Sequence, residues 1–491
     1  MRPPAARSLA ATLVPLCLLV LGMAVATRSV VRYELRIVVV YTVLAGLLAF
    51  WVLRSGRQDS VAVAAAASPA GQTPAVDPAG GSAEVGWALA ATFALVAVLH
   101  LKVHSYTYLS PGDGRLVRYV FAASAALVAL AMVGSVLTGR RRLADAGLGA
   151  AVVGYLIAAV MLIHLDPTPK IDVWVTLQQA ADGILRGDNM YAQNWSGSPG
   201  VQDAFTYLPF TGLLLAPGRW LAGDVRWALV VVTLLGVLAV RLLGRSEPTD
   251  SSAPALPPGA ASRVTSQTTT LAAAGAAALL LLMPGTPTQV EQGWTEPLLM
   301  ACLAGWALGV HRNNTVLAVV CLALGVASKQ HLIVLLPILA AWPQFGLRKA
   351  IASGGLAGVF VLPWIIASPA DIWHDTVTTL VNFQPLVFAD TLFIAAVNDL
   401  SWTPPFWLTG AAVLITLAAA VIQVHRRDPD LGTVLRWGAL FLFVANLVNK
   451  QAFYNQYWLV ASLVVISLAV PRSQAALSAP EPVRPPATAE A

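Results

Sequence analysis

The chain has 491 residues, of which 57% are hydrophobic and only 11% charged. Soluble domains carry about 25% charged residues, so this chain cannot cover a water-facing surface, and a soluble enzyme is excluded. The net charge of +6 forms no basic stripe or recognition motif. That argues against nucleic-acid binding and reads instead as Arg placed at cytoplasmic helix ends.

A helix that crosses a bilayer needs about 20 mostly apolar residues. In chain order the apolar runs are 9–26, 35–53, 85–101, 117–137 and 148–165. After a polar stretch come 205–221 and 225–243. Then follow 270–283, 294–310, 316–327, 331–342, 351–366, 405–424, 434–448 and 457–470. The expectation is an all-α polytopic membrane protein of roughly 13 to 15 spans. Pro or polar residues interrupt the runs within 205–243 and 316–342. The first run follows Arg2 and Arg7 and ends on Ala24-Val25-Ala26, which resembles a cleavage site. Because further spans follow, it is read as an uncleaved first helix. Three stretches rich in Ala, Gly, Ser or Pro, near 55–82, near 245–262 and from Pro471 onward, read as disordered. Cys17, Cys302 and Cys321 lie in apolar runs without C-x-x-C spacing, as small buried hydrophobes do.

Clusters at Arg140-Arg141-Arg142, Arg312, Arg348-Lys349 and Arg426-Arg427 mark cytoplasmic turns, and Arg54 and Arg57 agree. Counting from them puts 166–204, 368–403 and 449–456 outside and both termini inside. Arg28, Arg32 and Arg36 then fall outside, against the rule. So does the 245–262 linker, unless 205–221 is re-entrant.

Chemistry concentrates at 164–210. An apolar helix delivers Asp166 to the outer surface, and Pro167 and Pro169 stop it. Asp172 is placed to cap a new helix. Val173, Leu177, Ala180 and Ile184 recur at helical spacing, while Gln178, Gln179, Asp182 and Arg186 fall on other faces. This is an amphipathic helix lying in the interface, with Gly187 as its stop. Tyr191, Trp195 and Tyr207 suit the headgroup level. Asp166 and Asp172, beside Lys170, could act as a general base on a hydroxyl. The plainer alternative makes Asp172 a helix cap and Asp166 a solvated loop residue.

Further along, Glu291 stands at an interface, and Glu296 enters an apolar run about one turn from its end. An acid in a membrane helix faces protein or a water cavity. Ser328-Lys329-Gln330-His331 joins two short apolar runs. Lys329 there either binds a phosphate or pairs internally with an acid such as Glu296. Lys450 is similar but lies in a loop. His164 and Asp390 are weaker candidates, His374 has nothing nearby to pair with, and Asp145 is most simply a partner for Arg141 or Arg142. No nucleotide-binding, hydrolase or metal-ligand motif occurs, and no metal or other cofactor is expected.

An aspartate opening an amphipathic outer helix, then G-x-x-x-Y, then F-x-Y-x-P, resembles the GT-C superfamily of membrane glycosyltransferases. The residues are Asp172, Gly187, Tyr191, Phe205, Tyr207 and Pro209. The pattern is most similar to glycosyltransferase family 87, the polyprenyl-phosphate-mannose-dependent mannosyltransferases of actinobacteria. Glu291-Gln292-Gly293 stands where that family often has a G-Q step, and Lys329 where it often has a lysine between two short helices. The resemblance covers roughly 148–470. It implies a GT-C-like core at 143–470, an N-terminal transmembrane extension at 1–142 and a cytoplasmic tail at 471–491. In such enzymes the aspartate follows the first membrane helix, whereas here about four spans precede that helix. Trp174 is the nearest aromatic residue after it, and Gln292 lacks a preceding glycine.

The resemblance implies an inverting transfer of a sugar, mannose in that family, from a polyprenyl-phosphate donor to an extracytoplasmic glycolipid or polysaccharide. Asp172 would be the base, with Asp166 as the substitute. Lys329, Lys170 or Lys450 would hold the donor phosphate. Tyr191, Tyr207, Glu291, Gln292 and Glu296 would line the substrate site. The bilayer and the lipid-linked donor are the expected partners. Two other readings remain: a transporter or flippase of a lipid-linked saccharide, which predicts paired halves, and a non-catalytic scaffold, which leaves Asp172, Glu291 and Lys329 far apart.

Overall fold

The computed structural model describes residues 4–30, 32–66, 78–103, 108–245 and 260–471. Those residues form helices and connecting loops, with no strand among them. The N-terminal part holds α1 (Pro4–Ala26), α2 (Leu35–Ala66), α3 (Pro78–Lys102), α4 (Pro111–Thr138) and α5 (Arg141–Leu165). Next come α6 (Asp172–Arg186), α7 (Pro209–Ala222), α8 (Arg226–Leu243), α9 (Ala260–Leu282) and α10 (Thr286–Glu291). Then α11 (Glu296–His311) and α12 (Thr315–Ser328) lead through a 3-10 turn (Gln330–Leu335) into α13 (Leu336–Ala341) and α14 (Gly346–Ala367). A bent segment of α15 (Pro369–Trp373), a π turn (His374–Thr378) and α16 (Thr379–Asn382) follows. The chain ends in α17 (Leu392–Leu400), α18 (Phe406–Arg427), α19 (Leu431–Leu447) and α20 (Tyr454–Ala469).

Among the described residues seven helices are long and apolar enough to cross a membrane: α2, α3, α4, α5, α8, α14 and α18. Seven shorter apolar segments accompany them. The architecture is an all-helical, polytopic membrane fold. At its centre lies α9, whose stretch from Ala273 to Leu282 is buried on every side. A helix apolar all round belongs in a core, and its alanines let α3, α5, α8 and α20 approach closely. Helix α2 extends to Ala66 and α3 begins at Pro78, so only 67–77 of the expected first linker lies outside the described residues. The second linker keeps 246–259 outside them, and the tail 472–491.

The apolar run at 205–221 does not cross. Its helix, α7, starts at Pro209, contains Pro217 and ends on Gly223. It packs along α6, where Arg219 Nε and Nη2 bind both oxygens of Asp182 at 2.8 and 3.0 Å and Trp220 Nε1 donates to Ala181 O. The start of α7 is tied to Ser328, and its end returns to the end of α5 through Arg226 and the Asp166 carbonyl. Both ends of α7 therefore lie at one end of the bundle, and the C-terminal end of α8 lies at the other, with Arg140-Arg141-Arg142. At that far end Asp145 pairs with Arg241, at 2.7 Å, rather than with Arg141 or Arg142. Trp342 Nε1 donates to Pro429 O there, joining two turns.

The first four helices are packed into the same core. Tyr41 stacks on Tyr457 with ring centroids 3.8 Å apart. Tyr454 Oη bonds to Met23 O and Pro284 O, α3 packs on α9 and α2 on α19.

Candidate functional site

The amphipathic helix α6 forms as the sequence spacing implies, with Leu177, Ala180 and Ala181 buried. It stops at Gly187, whose φ of +81° only glycine adopts without strain. Its N-cap is Ile171, not Asp172. Asp172 is the first helical residue, and its Oδ1 accepts the adjacent Val173 N–H, at 2.8 Å. The helix dipole favours an anion there. Burial acts the other way and raises the carboxyl pKa, against the pull of the backbone N–H. No cation pairs with Asp172 among the described residues. Gly200 folds over it so closely that a Cβ there would lie 2.5 Å from Asp172 Oδ2.

The loop between α6 and α7 has its own aromatic core. Trp195 and Phe205 are fully buried and Tyr191 nearly so; Phe205 meets both others at ring-centroid distances of 5.7 Å. Tyr191 and Trp195 are therefore not anchors at the headgroup level: the loop folds onto itself. The Tyr191 hydroxyl donates to Tyr207 O at 2.9 Å, a positioning contact.

Tyr207 is the junction of the site. The ammonium of Lys329 lies 5.4 Å from its ring centroid, a cation–π distance. Burial pushes the phenol pKa well up, and the charges of Asp172 and then Glu296 push it further. Tyr207, Lys329 and Glu296 thus meet, with Asp172 near enough for its charge to act on Tyr207, although 33 to 89 residues separate consecutive members in the sequence.

Lys329 sits in extended backbone, φ −147° and ψ 120°, where α12 stops. Its Nζ donates to Glu296 Oε1 at 2.6 Å and Thr295 Oγ1 at 3.3 Å. The internal ion pair considered from the sequence is present: Glu296 is fully buried and the Lys329 side chain is 14% exposed. Glu296 is the first residue of α11, so the pair lies at a helix end rather than in mid-membrane. An ammonium has three donors, and one remains for a ligand.

A second charged group stands at the same end. Arg226 is fully buried and pairs with Asp224 at 2.7 Å. Its Nη1 donates to Glu291 O at 3.1 Å, and its Nη2 to Asp166 O at 2.8 Å and Ile163 O at 3.4 Å. Trp174 Nε1 donates to Asp224 from α6. Glu291 accepts the Tyr108 N–H at 2.5 Å, and burial raises its pKa to about 8. Burial also raises that of Asp166. The second oxygens of Asp166 and Glu291 have no hydrogen-bond partner among the described residues. The same is true of both amide atoms of Gln289 and of Gln292.

The other sequence candidates lie apart. Lys170 is exposed and makes no hydrogen bond or ion pair among the described residues. Lys450 donates to Val381 O at 2.6 Å and Phe383 O at 2.5 Å, closing the end of α16. His164 Nδ1 bonds to the Val160 carbonyl of its own helix. Asp390 accepts the Glu34 N–H at 2.8 Å, which ties the start of α2 to the loop before α17. His374 does have a partner, Asp375, at 3.0 Å. The Asp224–Arg226 pair escaped the sequence reading, although a D-x-R step between two apolar runs was a usable signal. The second partner of Asp375, a backbone N–H of Phe205, left no signal in the sequence. No group of three or more His, Cys, Asp or Glu side chains converges as metal ligands would among the described residues.

No protein-family description matches the chain, and no curated protein does. Solved structures to which the chain is similar include two of ArnT. ArnT from Cupriavidus metallidurans bound to undecaprenyl phosphate aligns at 14% identity, over 65% of this chain and 59% of its own, with a TM-score of 0.41. The apo form of ArnT aligns at 14% identity over 65% and 58%, with a TM-score of 0.36. The match spans less than two thirds of the ArnT chain, and at this identity and score it assigns neither family nor activity.

Proposed function

We propose that the chain is an integral membrane glycosyltransferase that moves a sugar from a polyprenyl-phosphate donor to an acceptor hydroxyl, with Asp172 as general base. One observation carries this reading. A desolvated carboxyl without a cationic partner among the described residues acts through its charge on one tyrosine, Tyr207, whose ring centroid lies 5.4 Å from the ammonium of a lysine with a donor to spare. The carboxylate is suited to take a proton, and the ammonium to meet a phosphate.

In this scheme the acceptor oxygen attacks the anomeric carbon on the face opposite the phosphate. Its proton passes to the Asp172 carboxylate. The bond from the anomeric carbon to the phosphate oxygen breaks, and its electron pair leaves with the phosphate. Lys329 stabilises that developing charge, while Glu296 and Thr295 hold its ammonium in place. The configuration inverts. The short basic turns at the far end of the bundle support a cytoplasmic location for that end, and so an extracytoplasmic site with both termini inside. Mannose on the donor, and a glycolipid or polysaccharide as acceptor, follow from the sequence resemblance.

The test is transfer of label from radiolabelled polyprenyl-phosphate mannose to a host lipid extract by the purified protein. Wild type and Asp172→Asn are run side by side. Label in a new glycolipid with wild type alone supports the reading. Full turnover by Asp172→Asn removes the base assignment. No transfer by folded wild type, with mannose or with other lipid-linked sugars, sinks the enzyme itself.

A further inference from the structure

Residues 204–208 carry no regular secondary structure, so Tyr207 must be held by contacts from elsewhere. Phe205 N–H donates to Asp375 Oδ2 at 2.7 Å. Thr206 O accepts Gln330 Nε2 at 3.0 Å, Tyr207 O accepts the Tyr191 hydroxyl at 2.9 Å, and Leu208 N–H donates to Ser328 O at 3.1 Å. Two of these anchors flank Lys329, and one belongs to the loop itself. The fourth, Asp375, comes from the π turn between α15 and α16. Insertions of this kind often mark functional places in helices.

Asp375 is the charged anchor of the four. Its side chain is 2% exposed, and its other oxygen meets His374 Nδ1 at 3.0 Å. Hydrogen bonds to an ionised acceptor are about twice as strong as neutral ones, and a buried carboxylate needs such partners to stay charged. Gln330 Nε2 also reaches Thr376 O on the same turn, at 3.3 Å, which stitches turn, loop and Lys329 junction together. We infer that Asp375 is a positioning residue: it fixes the Phe205–Tyr207 segment so that the Tyr207 ring stays beside the Lys329 ammonium, with His374 holding its other oxygen. The catalytic consequence rests on the transferase reading, but the placement of Tyr207 does not.

Two readouts separate these layers. The first is nitration of Tyr207 by tetranitromethane, followed by peptide mass spectrometry. The second is the steady-state rate of sugar transfer. Asp375→Ala removes the acceptor, whereas Asp375→Asn keeps an oxygen for the Phe205 N–H. The expected result is Tyr207 nitrated several-fold faster in Asp375→Ala, with kcat lowered about 10²-fold, the cost of a misplacement near 1 Å, and donor KM little changed. Asp375→Asn restores most of both. Wild-type nitration of Tyr207 in Asp375→Ala overturns the inference, whether or not the protein transfers sugar. Faster nitration with unchanged kcat keeps the placement and overturns its catalytic meaning. If Asp375→Ala does not fold, Asp375→Asn and His374→Gln carry the test. Slow nitration in the first with faster nitration in the second supports the anchor, and wild-type rates in both overturn the part given to the charge.

Discussion

Two groups of charged residues face the same end of the bundle and are built in opposite ways. In one, Asp224 and Arg226 use nearly all their hydrogen-bonding capacity on each other, on Trp174 and on three backbone carbonyls. This group joins the ends of α5 and α10 to the start of α8 and to the inner side of α6. In the other, Asp172 is bonded only by local backbone N–H groups among the described residues, and Lys329 keeps a donor in reserve beside Glu296. Saturated charges fix a structure, because any movement breaks several bonds at once. Unsaturated charges beside a half-open tyrosine are the ones that can exchange protons and bind anions.

The largest expected effect separates the two aspartates. Asp172→Asn should lower sugar transfer about 10²- to 10⁴-fold and leave thermal unfolding in detergent unchanged. Asp166→Asn should cost less than about tenfold, because Asp166 serves the second group mainly through its backbone carbonyl. If the large loss falls on Asp166 instead, the two groups exchange roles and the comparison breaks.

Arg226→Ala should act on folding rather than chemistry. It leaves Asp224 buried without its cation and frees three carbonyls. Breaking a buried ion pair in this way costs about 3–5 kcal/mol, read as a large drop in melting temperature. Lys329→Gln should fold, since Gln can still bond to Glu296, and should lose about 10²-fold in transfer, as loss of one donor to a developing charge does. A Lys329→Gln variant with wild-type kcat would place the leaving phosphate elsewhere.

The sequence disclosed these groups unequally, for physical reasons. Helix α6 was legible because its pattern is local: two prolines before it, apolar residues at helical spacing and Gly187 after it. Asp172 and Lys329 stood out because charge is rare in so apolar a chain. Their meeting at Tyr207 was not legible, since it depends on how a loop without secondary structure is pinned by Ser328, Gln330 and Asp375. Lys450 and Lys170 show the opposite error. A lysine at a membrane surface invites a phosphate reading, yet the first closes a helix end on two carbonyls and the second stays in solvent. Hydrophobicity alone also placed a crossing at 205–221, where two prolines and the partnership with α6 make a helix that returns to the same side.

The smallest effect concerns Glu291 and sharpens the contrast between the groups. Burial first, and then the Asp166 charge, raise its pKa from 4.5 to about 8, against the Tyr108 N–H. At neutral pH the second group then holds a protonated Glu291 beside the balanced Asp224–Arg226 pair, while the first holds a carboxyl with no cationic partner among the described residues. The consequence for stability has a definite sign. Between pH 4.5 and about 8 the folded state holds this proton more tightly than the unfolded chain, so stability falls as pH rises through that window. Asp390, raised by burial to about 7, contributes in the same direction, so wild type should melt at lower temperature at pH 8 than at pH 5. Glu291→Gln keeps an oxygen for the Tyr108 N–H but has no proton to lose, so its slope should be shallower, with Asp390→Asn accounting for part of the remainder. Equal slopes for wild type and Glu291→Gln would mean that Glu291 is ionised at neutral pH. The second group would then carry an unbalanced charge of its own, and the distinction between the two would rest on hydrogen-bond saturation alone.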